Sequence, residues 1–341
     1  MIDNNSDLLQ FNTKGIYCPP ADVYIDPWRP VDKAIITHGH SDHSRSGSKS
    51  YICTHQSVPI LRHRLGQNIN VRGIGYGESF SINGVKFSLH PAGHIIGSAQ
   101  VRVEYRGEVW VASGDYKTQD DGVSTTFTPV KCHTFITEST FGLPLYNWAP
   151  ISDTINEINT WWQECKEAKR PAILTTYSLG KAQNILQNID RTIGEVFGHG
   201  AINKMNDALI ASGLFNESTA TVDPSRKNYD GCLILTPMSG LNSKWSSRFK
   251  GASTASASGW MSLRGARRRR GVDRGFVLSD HADWNGLNQA IKATGAERII
   301  VTHGYQALFS KWLKSQGYQS QTQKTMYEGE ALETGVVSEA T

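Results

Sequence analysis

Apolar and β-branched residues come along this chain in short runs, and the period of those runs changes part-way. Val23-Tyr24-Ile25, Ala34-Ile35-Ile36-Thr37 and Tyr51-Ile52-Cys53-Thr54 are brief apolar stretches bounded by turn residues, and they read as buried strands. Gln56 to Leu65 reads as a helix stopped by Gly66. Strict alternation follows, in Val85-Lys86-Phe87-Ser88-Leu89 and in Val101, Val103 and Tyr105 against Arg102 and Glu104. Arg106-Gly107 turns the second of these strands into Val109-Trp110-Val111, and Phe135-Ile136-Thr137 is a further strand. The period then lengthens. Ser152 to Arg170 reads as a helix with a Thr154…Glu157 capping-box spacing and a stop at Pro171. Ala172–Tyr177, Glu195–Phe197 and Cys232–Leu235 read as strands alternating with helices over Leu179–Ile189 and Ile202–Ala211. That alternation predicts a parallel α/β unit of about 130 residues. Ser253 to Ser262 has a linker's composition but ends in Ser258-Gly259-Trp260-Met261, so it is read as a tight strand inside that unit. Beyond it come a strand at Gly275–Leu278, a helix to about Ala293, a strand at Arg298–Thr302 and a closing helix from Tyr305 to Gln316.

Composition narrows the class. A length of 341 residues allows two domains, or one domain carrying a large insertion. Hydrophobic residues at 38% build ordinary cores, and nine tryptophans add large buried area. No apolar run approaches the roughly 18 to 20 residues that span a bilayer, so no membrane partner is expected. The N-terminus lacks the basic start and apolar core of a signal peptide. Five cysteines, at 18, 53, 132, 165 and 232, form no C-x-x-C pair and read as reduced, mostly buried thiols of a cytoplasmic protein. The net charge of +4 is mild but unevenly placed.

The candidate chemistry centres on Thr37-His38-Gly39-His40-Ser41-Asp42-His43, with four potential metal ligands inside six residues. His38 and His40 leave the end of a predicted strand two residues apart, which sets both imidazoles on one side. Asp42 and His43 can then face a second point a few ångströms away. Imidazole and carboxylate together suit zinc or a similar borderline ion.

This stretch resembles the signature of the metallo-β-lactamase fold, and the resemblance continues down the chain. Ala92-Gly93-His94 followed by Gly97-Ser98-Ala99 matches the third ligand motif of that fold, with His94 as the ligand. Asp115, in Ser113-Gly114-Asp115, falls where the family places a carboxylate bridging two metals. Asp26 matches an aspartate that supports the site from behind its ligands; an Asp-Pro turn starter is the alternative. Ile25 to Arg45 and Ala252 to Gly304 are similar to the bacterial DNA-ligase-associated exonucleases, within the β-CASP branch of metallo-β-lactamase nucleases that includes Artemis-type enzymes.

The resemblance implies an α/β fold, a metallo-β-lactamase αββα sandwich with an inserted β-CASP α/β domain. Residues 1–145 and 275–330 form the two parts of the sandwich, 146–274 the insertion, and 331–341 a flexible tail. It implies two zinc ions, with manganese as the alternative, one held by His38, His40 and His94 and the other by Asp42, His43 and His303, with Asp115 between them. It further implies that Glu138 and His281 work as a pair beside the leaving group, His281 as general acid. Taken alone, Glu138 also reads as a strand-end carboxylate and His281 as the neighbour of a helix cap.

The implied function is a zinc-dependent nuclease hydrolysing phosphodiester bonds, a DNA exonuclease in DNA repair. DNA is favoured over RNA, and a DNA ligase and a helicase are implied as partners. One feature points to RNA: Artemis-type enzymes usually carry valine at the last motif, whereas His303 is the choice of the RNA-processing branch. The other enzyme reading is a small-molecule metallo-hydrolase. A nucleic-acid-binding scaffold with a dead site would have lost ligands, and none is missing. Arg264, Arg267, Arg268, Arg269 and Arg270 are read as phosphate contacts against the alternative of a solvated face. Ser178 and Lys181, at a predicted helix start, are read as a further phosphate contact.

Overall fold

Successive residues of a strand face opposite sides of its sheet, and here that alternation sorts the apolar positions into layers. In the computed structural model, which describes residues 7–327, the chain divides into two compact units. The first combines the chain through Asp120 with Ser124–Asn147 and the stretch from His281 onward, and the second is Asp121–Val123 with Trp148–Asp280.

The first unit holds two sheets. One runs, in spatial order, Gln10–Phe11, Ile16–Cys18, Val23–Ile25, Lys33–Ile35, Ser50–Thr54 and Val71–Ile74. The other runs Gln319–Thr322, Arg298–Gly304, Thr134–Ser139, Glu108–Ala112, Ala99–Tyr105, Val85–Pro91 and Ser79–Ile82. Ile25 and Ile35 of the first sheet share a core with Leu89, Val101, Val103, Trp110, Ile136 and Ile300 of the second. The neighbouring positions point outward. Val109, Val111, Phe135, Ile299 and Val301 pack on Leu287 and Ile291 of the helix Trp284–Thr294 and on Phe309 and Leu313 of the helix Gln306–Ser315. On the far side Ala34, Ile36, Tyr51 and Cys53 meet Leu61 of the helix Ser57–Leu65. The layers are helix, sheet, sheet, helix: the αββα sandwich.

The second unit has one six-stranded sheet, all parallel, in the order Ala220–Thr221, Val196–Gly198, Leu233–Thr236, Ala172–Thr175, Ser253–Ala257, Arg274–Phe276. It is the inserted α/β domain. Trp161 and Trp162 of the helix Ile151–Glu167 are both buried, their indole N–H groups donating to Ser253 Oγ at 3.0 Å and the Gly231 carbonyl at 2.9 Å.

Local signals misplaced some boundaries. The helix expected from Ser152 begins at Ile151 behind Pro150 and has no side-chain cap. Thr154 lies inside its first turn, buried, and donates its hydroxyl to the Val277 carbonyl at 3.2 Å, so no capping box forms. The helix expected from Leu179 starts at Lys181, because Gly180 has φ +100°, outside helical geometry. The strand read through Ser262 stops at Ala257, where Ser258 caps a short 3₁₀ turn over Gly259–Ser262. Among the described residues no helix is long and apolar enough to cross a membrane. The tail read at 331–341 lies outside the described residues.

Trp110 is fully buried between the sheets, with its indole N–H on Glu108 Oε1 at 2.6 Å. Trp110→Ala should therefore cost about 3–5 kcal/mol. Urea unfolding followed by circular dichroism should show a markedly lower midpoint.

Candidate metal centre

The strands Val85–Pro91, Glu108–Ala112, Thr134–Ser139 and Arg298–Gly304 all point the same way, so their carboxyl ends share one edge. In α/β sheets that edge is where ligands are bound. Here it delivers His94, Asp115, Glu138 and His303, while the loop after Lys33–Ile35 delivers His38 to His43. Two glycines make the approach tight enough. Gly114 has φ +58°, and a Cβ there would lie 2.6 Å from Thr37 Oγ1. At Gly304, φ +91°, a Cβ would lie 2.2 Å from the Ser139 carbonyl oxygen. No larger residue fits either place.

Asp115 is buried at the centre, and its two oxygens face different histidines. Oδ2 lies 3.6 Å from His38 Nε2 and 3.8 Å from His94 Nε2. Oδ1 lies 3.6 Å from His43 Nε2 and 3.0 Å from His303 Nε2. His40 Nδ1 joins the first group at 3.0 Å from His94 Nε2, and Asp42 Oδ2 joins the second at 3.7 Å from His43 Nε2. Two donors on one tetrahedral zinc ion at about 2.0–2.2 Å sit roughly 3.3–3.6 Å apart, the scale of most of these separations. The Nε2 atoms of His38, His43 and His303 and Oδ1 of Asp115 are buried and make no hydrogen bond. Buried polar atoms are almost always satisfied, so a set of them converging on common points fits divalent metal ions.

The support behind the ligands is equally specific. Asp26 holds His43 Nδ1 against its Oδ2 at 2.8 Å, which turns Nε2 toward Asp115. The same carboxylate accepts the Thr37 N–H at 2.8 Å and the Thr37 hydroxyl at 2.5 Å. Asp26 adopts φ +42°, a conformation disfavoured for a non-glycine residue and held by its neighbours. Glu138 takes His281 Nδ1 at 2.8 Å, the Tyr116 N–H at 2.8 Å and the Thr140 hydroxyl at 2.5 Å. The His281 ring packs against His94 with centroids 4.7 Å apart. The metal and acid–base candidates thus come together.

Electrostatics follows from crowding. Burial alone would raise the Asp115 pKa, but His43 and His303 outweigh it and hold the carboxyl well below the usual range. Burial, then the charge of His43, pushes His38 well below 6.5. For His43 burial again works against the charge, yet Asp115, Asp42 and Asp26 raise its pKa to about 10. A divalent ion bound among these carboxylates would take the place of the His43 proton.

The candidate nucleic-acid contacts lie in the other unit. Arg264, Arg267, Arg268 and Arg269 are exposed, the last three on the short helix Ala266–Arg270. Arg270 turns inward, donating to Ser256 Oγ at 2.6 Å and Ser258 Oγ at 3.3 Å. Ser178 is half-buried. Lys181 departs from the sequence reading: it is 1% exposed, lies 4.3 Å over the Tyr177 ring and 3.7 Å from Asp280. Its ammonium is engaged inside the unit rather than presented to phosphate. The Gly180 amide, expected to be available at the helix start, donates to Gln183 Oε1 at 2.6 Å. Sequence reasoning missed Thr37, Thr140 and Tyr327 at the metal centre; hydroxyl-bearing residues beside ligand motifs carry no spacing signal.

No family model matches the chain. It is 27% identical over 314 residues to a protein of Opitutus terrae named as a probable DNA ligase, covering 90% of this chain and 30% of that relative. It is 29% identical over 192 residues to an RNase J-like protein of Methanocaldococcus jannaschii, covering 48% of this chain and 45% of that one. The chain therefore spans less than half the length of both relatives. A crystal structure of a protein of unknown function from Enterococcus faecalis V583 superposes with a TM-score of 0.56 at 10% identity, over 81% of this chain and 76% of that one, a likeness of fold alone. Sandwich and histidine cluster define a protein of the metallo-β-lactamase fold. With the inserted parallel domain and these relatives, the chain is similar to the β-CASP branch of that fold.

Because Asp115 faces both histidine groups, Asp115→Ala should lower metal content below that of the wild type and abolish hydrolysis. Atomic emission on dialysed protein checks this, and full metal retention with full activity would refute the shared-carboxylate site.

Proposed function

We propose that this chain is a zinc-dependent nuclease, acting on DNA as an exonuclease in repair. The observation that carries the reading is the single buried carboxylate of Asp115 set between two histidine groups, with the Glu138–His281 pair alongside. Two bound divalent ions supply positive charge for an anionic phosphodiester and lower the pKa of water. His38, His40 and His94 would hold one, Asp42, His43 and His303 the other, with Asp115 shared. The chain's own residues do the rest. Glu138 fixes His281 through Nδ1, which leaves Nε2 as the atom that delivers a proton to the departing alkoxide. Glu138 also stabilises the imidazolium before that transfer, and its bonds from Tyr116 and Thr140 keep it oriented.

DNA is supported by the relative named as a probable DNA ligase, whose similarity runs along 90% of this chain. RNA is the second reading. It is favoured by the RNase J-like relative and by His303, placed 3.0 Å from Asp115 at the motif where the RNA-processing branch carries histidine. Arg264, Arg267, Arg268 and Arg269 are the phosphate contacts in this proposal, and a DNA ligase and a helicase its partners. All five cysteines are buried free thiols, which supports a reducing, cytoplasmic setting.

A labelled panel of single- and double-stranded DNA and RNA, with 5′ hydroxyl or phosphate ends and zinc or manganese, tests the substrate. DNA shortened from its ends supports the proposal, and cleavage of RNA alone transfers it to the second reading. His281→Ala should retain its zinc and lose about 10²- to 10⁴-fold in turnover, with much of the loss recovered on a nitrophenyl phosphodiester. Loss of metal without that rescue would make His281 a ligand. Replacing Arg267, Arg268 and Arg269 with serine should flatten the salt dependence of binding by about 0.7–0.9 units of slope per lost contact; an unchanged slope returns them to a solvated face.

A further inference from the structure

Beyond the last strand, Gln319–Thr322, the chain runs back along the metal centre. The Gln323 N–H donates to the Val301 carbonyl at 2.9 Å, and Arg45 donates from Nη2 to the Met326 carbonyl at 3.3 Å. This path sets down Tyr327. Its ring stacks on His43 with centroids 4.1 Å apart and planes 14° from parallel, and stands edge-on to His303 at 5.7 Å. Trp28 backs the ring edge-on at 5.6 Å. The phenol hydroxyl donates to the main-chain oxygen of Asp26 at 3.0 Å.

These contacts address the two ways in which His43 can lose its aim. An imidazole misdirects Nε2 if its ring turns, or if the carboxylate behind Nδ1 withdraws. The Tyr327 ring covers one face of the imidazole and blocks the turn. Its hydroxyl holds the backbone of Asp26, the residue whose Oδ2 lies 2.8 Å from His43 Nδ1 and whose φ of +42° needs outside support. The ring contacts fall on His43 and His303, the two histidines facing Oδ1 of Asp115. Their effect belongs to one half of the centre.

We propose that Tyr327 is a positioning residue for the His43–His303 half, so that the segment after the last strand completes the metal centre and sets the affinity for one of its two ions. The inference rests on the two-ion reading above. It assigns no chemistry to the phenol, which acts through His43 and Asp26.

Zinc binding to metal-stripped protein, titrated in a metal buffer and counted by atomic emission, tests it without reference to activity. The wild type should bind two ions per chain. Tyr327→Ala should weaken one site by about 10- to 100-fold and leave the other unchanged. Tyr327→Phe keeps the stacked ring and loses only the hydrogen bond, so it should recover most of that loss. In a His303→Ala background, which already lacks a ligand of the same half, Tyr327→Ala should add little further weakening. Circular dichroism checks folding, and if the alanine variant does not fold, Tyr327→Leu, which keeps bulk without an aromatic face, is read in its place. Two sites of unchanged affinity, or equal weakening of both, would overturn the proposal while leaving the two-ion site standing. A wild type that binds fewer than two ions would instead overturn the reading on which it rests.

Discussion

A carboxylate sunk among imidazoles is the constraint from which the rest of this structure follows. Asp115 is 3% exposed, and burial of an anion is expensive unless opposite charge meets it at close range. His43 and His303 do so at one oxygen and keep the group ionised, while His38 and His94 face the other. Such convergence needs strand ends from one sheet edge and a loop from the other sheet to arrive within a few ångströms. The sandwich exists in the form that makes this possible, with Gly114 and Gly304 removing the side chains that would keep the segments apart.

Precision at the centre is then passed outward by short hydrogen-bonded relays. Asp26 binds Thr37 and His43 at once, so the loop carrying four candidate ligands is tied back to the strand beside it. Glu138 does the same for His281 through Tyr116 and Thr140. Both carboxylates accept several donors, which holds each in a single orientation. The site's supports are hydrogen-bonded, while the Nε2 atoms of His38, His43 and His303 are not.

The inserted unit follows a different logic. Its sheet is entirely parallel, and the inner strands Ala172–Thr175 and Leu233–Thr236 are buried throughout, as in a sheet covered on both faces. Within it, cations were sorted by burial: Lys181 and Arg270 serve the interior, while Arg267, Arg268 and Arg269 remain on the surface. A run of like charges in sequence is therefore a mixed population in space, and only its exposed members are available to a polyanion.

The sequence by itself determined the layers and marked the candidate ligands. Alternation at Val101–Tyr105 and Val109–Val111 dictates which residues face which core, because a strand's period is two whatever surrounds it. The spacing of His38, His40, Asp42 and His43 is a local property, as is the strand-end position of Glu138 and His303. Tertiary structure alone decided the pairings. Nothing local shows that Asp115 separates His38 from His303, that Thr154 serves the Val277 carbonyl rather than a helix cap, or that Lys181 turns inward to Asp280. Least legible was Tyr327, which meets Asp26 across 301 positions of chain. Periodicity and capping are short-range properties of the backbone, but which distant side chain finally covers an imidazole depends on how whole layers close over one another.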